Sequence, residues 1–252
     1  MSSDLIKAQH AFTTRYGGVS KGELASLNLG SNRGDEPEAV RENYRRVCEL
    51  MGVGIDDCAV TKQVHGNVVR IVDEKDKHAC MSNVPYEADG IVTNVKNMPI
   101  MCFVADCVPV LLCDEKNSVA AAVHCGWRSS VTDILKEAVE KMCQLGAEKE
   151  NICVAMGASI GPCCFETDAD VPQALLEAFG NEVSPFITQS GSKYYVNLKE
   201  INALILGRAG VRHIEISSEC TKCRPDRFWS HRITGNIRGS QGAIIVCKEE
   251  TP

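Results

Sequence analysis

Residues 105–127 read ADCVPVLLCDEKNSVAAAVHCGW. Two apolar runs flank a short polar stretch, the pattern of an antiparallel hairpin buried on both faces. With a loop of Asp114-Glu115-Lys116-Asn117, Cys113 faces Ser118 and Cys107 falls opposite His124. Directly opposed residues have Cβ atoms about 4.5–5.5 Å apart, so one metal ion or one proton could join that thiol and imidazole. A loop one residue longer pairs Cys107 with Cys125 and turns His124 to the other face. Pro109 belongs at a strand start, an edge or a bulge. On spacing alone both registers stay open, and a Cys and a His at strand ends are more often core or rim residues than ligands.

The chain then runs Gly126-Trp127-Arg128 into a helical pattern. Val131, Ile134, Leu135, Ala138, Val139, Met142 and Cys143 repeat at helical spacing, with Ser130 and Asp133 as the expected cap and Gly146 as the stop. A helix N-terminus offers unpaired N–H donors and positive dipole. Arg128 adds a fixed fork of donors. A soft, metal-capable group beside an anion pocket suggests chemistry on a phosphate-bearing or phosphate-using substrate.

Outward from this centre, HAFTTRY (10–16) reads as a strand ending at Gly17-Gly18. Asp35 with Glu38, and Pro37 between them, predicts a capping box for a helix with Val40, Tyr44, Val47, Cys48 and Met51 on one face. AVTKQVH and VVRIVD flank Gly66-Asn67, which predicts a second hairpin with His65 at its turn. GIVTN and PIMCFVA read as strands, as do 151–158, 193–198, 211–217 and 242–247, with helices near 168–179 and 199–208. Strands and helices are mixed and hairpins occur, so the expectation is a single α/β domain over residues 1–252 with mixed sheets, not a doubly wound parallel sheet.

Composition narrows the function classes. Aromatic residues are 5% and the formal net charge is −6, which argues against stacking on single strands and against phosphate-backbone binding, so no nucleic-acid partner is expected. One local exception is residues 222–238, where Lys222, Arg224, Arg227, Arg232 and Arg238 face only Asp226, a balance suited to a small anionic substrate. No segment approaches a membrane span and MSSDLIKAQH lacks an apolar leader core, so the expected compartment is the cytoplasm. There the 14 cysteines stay reduced, most of them as small core residues. Cys163-Cys164 and Cys220-Thr221-Lys222-Cys223 are further thiol candidates, but one CxxC does not make a zinc ribbon, which normally needs four ligands.

Eight segments then appear in order: TRYGGVS (14–20), LNLG (27–30), QVHG (63–66), ADGIVT (88–93), ADCVPVLL (105–112), VHCGWR (123–128), IGPCCFE (160–166) and FWSHR (228–232). Together they resemble the laccase-domain, or polyphenol oxidase-like, family. Its members are now associated with purine nucleoside phosphorylase activity, and one bacterial branch with peptidoglycan editing. The resemblance implies an α/β/β/α-layered sandwich similar to cysteine hydrolase-like proteins. It also implies a His-Cys-His zinc site at His65, Cys107 and His124. Three N/S ligands leave a fourth tetrahedral position open, the pattern of a catalytic zinc. Copper is the adventitious substitute, since it outcompetes zinc for such donors. Four-copper laccase chemistry would need roughly ten histidines. The chain has 6 and no His-x-His pair.

The activity so implied is phosphorolysis of adenosine, inosine and methylthioadenosine, with deamination of adenosine. Its partners are purine nucleosides and phosphate. Zinc deaminases use a Glu near the metal as proton shuttle. Here Asp106 adjoins Cys107 instead, so Asp106 is the expected acid/base. Phosphate needs anion donors, for which Arg15, Arg128 and Arg232 are candidates, while Asn28 and Gln63 are candidates for shaping the pocket. The alternative is a metal-free Cys–His hydrolase or amidase that edits peptidoglycan precursors, with Cys107 the nucleophile and His124 its base. A third possibility, a non-enzymatic zinc-binding protein, leaves the anion site unexplained.

Overall fold

The computed structural model describes residues 1–78, 84 and 86–248. In chain order it forms β1 (Gln9–Phe12), α1 (Pro37–Leu50), β2 (Val69–Ile71), β3 (Gly90–Thr93), β4 (Ile100–Val104), β5 (Val108–Asp114) and β6 (Val119–Cys125). Next come α2 (Trp127–Val131), α3 (Ile134–Gln144), β7 (Cys153–Met156), β8 (Glu166–Thr167), α4 (Asp170–Phe179), β9 (Ile187–Ser190) and β10 (Lys193–Val196). The chain closes with α5 (Leu198–Arg208), β11 (His213–Ile216), α6 (His231–Thr234) and β12 (Gln241–Val246).

The decisive hairpin forms as β5 and β6, but in neither expected register. Asp114 pairs with Val119 and Pro109 with His124, so the loop is 115–118 and the ladder has slid by two residues from the first expectation. The Asp114 carboxylate is the cause. It is buried at the strand end and accepts the backbone N–H of Asn117 and of Glu148, at 3.1 and 2.8 Å. A buried charge so satisfied fixes the loop. Cys107 lies just before β5, after Asp106 at φ +87°. Because the slide is even, Cys107 and His124 stay on one face.

All fourteen residues of the two strands are buried, so both faces must be covered. The six-stranded sheet β11-β7-β5-β6-β3-β2 does this with helices on one side and a second sheet, β1-β12-β4, on the other. Val110, Leu112, Val119, Ala121 and Val123 pack with α3 and α5 residues such as Ile134, Val139, Ile201 and Ile205. Their neighbours Leu111, Cys113, Ala120 and Ala122 pack with Ile100, Cys102, Ala243 and Ile245 of the second sheet. That sheet's outer face, with Met101, Ile244 and Val246, receives Val40, Tyr44, Val47 and Cys48 of α1. The order is helix, sheet, sheet, helix, and the mixed α/β expectation holds. A small third sheet, β8-β10-β9, was not expected.

Three local expectations fail. Residues around Gly66-Asn67 make no hairpin: β2 pairs in parallel with β3, and the QVHG turn wraps a carboxylate instead. Asp35 does not cap α1. Its oxygens accept from Glu36 N and Asn28 Nδ2, and the helix starts at Pro37. The helix after His124 is broken in two, α2 beginning directly behind Gly126 and α3 restarting after Asp133, which sits at φ +65°. Ser130 lies inside α2, where its hydroxyl donates to Asn202 Oδ1 at 2.7 Å.

Candidate functional site

His124 ends the inter-sheet face of β6, and Asp89 just before β3 fixes it. The Asp89 backbone C=O accepts His124 N–H at 2.7 Å, and its Oδ1 lies 2.7 Å from His124 Nδ1. The same carboxylate accepts the N–H groups of Val64, His65 and Gly66 at 3.1, 2.9 and 2.7 Å. Asp89 is 1% exposed, so four donors converge on one buried anion. The consequence is geometric: His124 can present only Nε2 outward, and His65 is held on a turn at φ +61°. The two imidazoles stand edge to face at 4.7 Å between centroids.

Cys107 completes the group. Its Sγ is 3.9 Å from His65 Nε2, and the ligand atoms of His65, Cys107 and His124 all lie within 4.8 Å of one another. Gly126 leaves the room for this: a Cβ there would meet His65 Cδ2 at 3.2 Å and Cys107 Sγ at 3.5 Å. Two nitrogens and one sulfur at this spacing could hold one metal ion. Burial works to raise the Cys107 thiol, but His124 and His65 beside it overcome this and bring it down to about 6. Burial likewise opposes charge on His124, and the Cys107 thiolate and Asp89 carboxylate outweigh it, raising His124 to about 9.

In metal-stripped protein these shifts set a pH window. A lowered thiol favours folding above its unfolded value and loses that contribution as pH falls through about 6. The raised imidazole contributes fully below its unfolded value and loses this as pH rises through about 9. Cys107 of the apo protein is therefore expected to react with iodoacetamide half-maximally near pH 6, followed by peptide mass spectrometry. A midpoint above pH 8 would contradict the thiolate–imidazolium pair.

The group opens into a cavity of about 520 Å³, whose wall includes Gly30, Arg33, Gln63, Phe103, Arg238 and Ser240. Neither Arg33 nor Arg238 makes an ion pair among the described residues, and Arg33 Nε is buried without a partner. Burial lowers both guanidinium pKa values, with Arg33 adding to the effect on Arg238, which falls to about 10. Two adjacent unpaired cations call for an anion. Gly30 of the LNLG segment makes space for this wall, since a Cβ there would sit 2.6 Å from Arg33 Cγ.

Other sequence candidates lie elsewhere. Arg15 stacks over Trp229 at 4.0 Å and donates to Ala25 O and Pro225 O. Arg128 lies over Trp127 at 4.3 Å, and Arg232 donates to Glu166 O. Asn28 is fully buried, tying Gly30, Asp35 and Ser240 together. None of these four lines the cavity. Gln63 does, but its amide is taken up on both sides by the Phe103 backbone at 2.7 Å. Asp106 accepts Thr221 Oγ1–H at 2.6 Å and Arg232 N–H at 2.7 Å, and it is not part of the cavity wall. Sequence reasoning missed Asp89 and Arg33. Arg238 belonged to the basic run already singled out, whose Arg224 and Arg227 pair with Asp226 and Glu219.

The family model described as multi-copper polyphenol oxidoreductase laccase matches residues 9–248. The chain belongs to this family. Among relatives, purine nucleoside phosphorylase YlmD of Geobacillus stearothermophilus is 33% identical over 250 residues, covering 94% of this chain and 89% of that protein. Adenosine deaminase RL5, from an unknown prokaryotic organism, is 31% identical over 241 residues, covering 91% and 90%. The human purine nucleoside phosphorylase LACC1 is 31% identical over 252 residues, but this chain spans only 56% of its length. A crystal structure of YlmD from Geobacillus stearothermophilus superposes with a TM-score of 0.90 at 31% identity, covering 97% of this chain and 93% of that one. Despite the family's description, the described residues offer one His/Cys group containing histidine.

Proposed function

We propose that this chain is a zinc-dependent purine nucleoside phosphorylase, acting on adenosine, inosine and methylthioadenosine, that also deaminates adenosine. The observation that carries the reading is one cavity holding both the His65–Cys107–His124 group and two guanidiniums without carboxylate partners. Its volume falls within the about 300–1,000 Å³ usual for small-molecule sites. The relatives' names supply the substrate class. The many free cysteines among the described residues suit a reducing compartment, the cytoplasm.

His65, Cys107 and His124 would hold zinc, which would supply Lewis acidity to the cavity. The remaining work falls to the chain itself. Arg33 and Arg238 bind phosphate and orient it toward the ribose C1′ as the purine leaves. Phe103, steadied by Gln63, gives the purine a flat apolar wall. Asp106 serves as a positioning residue, tying the corner before Cys107 to Thr221 and Arg232. Arg238→Ala and Arg33→Ala should each raise the phosphate KM about 10-fold or more, with a smaller effect on the nucleoside KM. Steady-state assays with phosphate varied would show it, and an unchanged phosphate KM in both variants would remove the anion site from the reading.

A second reading has its own observation. Asp89, His124 and Cys107 line up as carboxylate, imidazole and thiol, the order of a cysteine hydrolase acting without metal. That reading leaves His65, the third ligand, without a task. Alkylation separates them: it inactivates a metal-free hydrolase irreversibly, whereas bound zinc shields Cys107 until a chelator is added.

A further inference from the structure

The parallel pairing of β7 with β11 at the sheet edge has a consequence beyond the cavity. The loops that leave these two strands run on side by side. Ser159 bridges Cys220, and Thr221 N–H donates to Ser159 O at 3.0 Å. This brings Cys163-Cys164 from one loop against Cys220 and Cys223 from the other. All four sulfurs lie within 4.8 Å of one another, with Cys223 at 3.6 Å from Cys163 and 3.5 Å from Cys164. We propose that Cys163, Cys164, Cys220 and Cys223 are a second metal site, which binds one zinc ion through four thiolates and clamps the two loops together.

The geometry suits that ion. Zinc–sulfur bonds of about 2.3 Å in a tetrahedron put neighbouring sulfurs about 3.8 Å apart. The two Cys223 separations, 3.6 and 3.5 Å, lie close to this value, the whole group falls within 4.8 Å, and these distances are far from the about 2.05 Å of a disulfide. A closed set of four thiolates is the donor pattern of a structural zinc. The surroundings fit as well. Gly161 N–H donates to Cys220 Sγ at 3.2 Å, as backbone amides do to metal thiolates. Four thiolates around one divalent ion carry a net charge of −2, and a buried cation stands near by. Lys199 is 5% exposed, donates to Ser217 O and Glu219 O and makes no ion pair among the described residues.

The site also bears on the first. Thr221, inside the Cys220–Cys223 turn, donates its hydroxyl to Asp106, the residue before Cys107. The clamp therefore steadies the corner that presents Cys107, acting through position and not through contact with substrate.

The test is a metal count on full-length protein expressed with zinc. Wild type should hold two zinc ions per chain by inductively coupled plasma mass spectrometry. Cys107→Ala should keep one, and cobalt(II) loaded into that variant should show the intense near-ultraviolet charge transfer of a tetrathiolate. Cys163→Ser combined with Cys223→Ser should also keep one. The Cys107→Ala result stands even where the double variant folds poorly, because it leaves the four thiols intact. No zinc in Cys107→Ala, iron in its place, or a disulfide among these four cysteines by mass would each overturn the proposal. These outcomes do not depend on which reaction the cavity performs.

Discussion

Cys107→Ala is expected to lose one metal ion per chain and to lower phosphorolysis by at least about 100-fold, because two imidazoles alone hold zinc weakly. Cys107 is the only sulfur in the group. Its removal also deprives His124 of the thiolate that, with Asp89, raises the imidazole to about 9. The variant should still fold, since the side chain lines the cavity and precedes the β5 ladder. Circular dichroism, metal analysis and turnover together decide the matter. A variant that keeps its metal and its rate would dissolve the site as drawn.

Asp89→Asn should do damage of two kinds. The carboxylate accepts from three consecutive backbone N–H groups and from the His124 ring. An amide offers one acceptor oxygen and turns an NH2 toward donors, so buried N–H groups are left unpaired at a cost of about 2–4 kcal/mol. Zinc affinity should drop about 10–100-fold, because His65 and His124 lose the hold on their orientation. Burial alone would raise the Asp89 carboxyl, but the His124 ring and the Gly66 and Val64 N–H groups hold it below the ordinary carboxylate range. A depressed acid contributes stability above its unfolded value and loses it on acidification. The gap in stability between wild type and Asp89→Asn should thus be full above about pH 4 and close as pH falls further. Urea melts across pH 3–7 test this, and a gap that widens toward low pH would contradict it.

The mixed α/β class was legible because apolar runs and helical stripes are local signals, whereas the layering came only from the family resemblance. The register of β5–β6 was not, since Asp114 and its partner Glu148 lie 34 positions apart. Even so, the first of the two registers left open, the one the family resemblance favours, has Cys107 and His124 on one face as the structure does. A slide of two residues conserves side-chain parity, and only an odd slide would have parted them. Asp89 stood in plain view within ADGIVT, yet its donors come from a turn more than twenty positions earlier, and no local pattern announces that capture. The QVHG hairpin failed for the same reason: the carboxylate satisfied the N–H groups that a partner strand would have taken. Arg15, Arg128 and Arg232 were plausible anion donors by type, but each found a carbonyl or a ring close by. Arg33 and Arg238 line the cavity without a carboxylate partner, although Arg238 also donates to Gly239 O at 3.1 Å. Both cysteine pairs were visible as thiol candidates, but their union into one group of four was not, because the pairs are some sixty positions apart and meet only through the parallel pairing of β7 and β11.

The most direct measurement is adenosine incubated with zinc-loaded protein, with and without phosphate, the products separated by chromatography. Adenine and ribose-1-phosphate should form only with phosphate present, and inosine should form without it. Absence of any phosphate-dependent base release from protein carrying its zinc would contradict the phosphorylase reading.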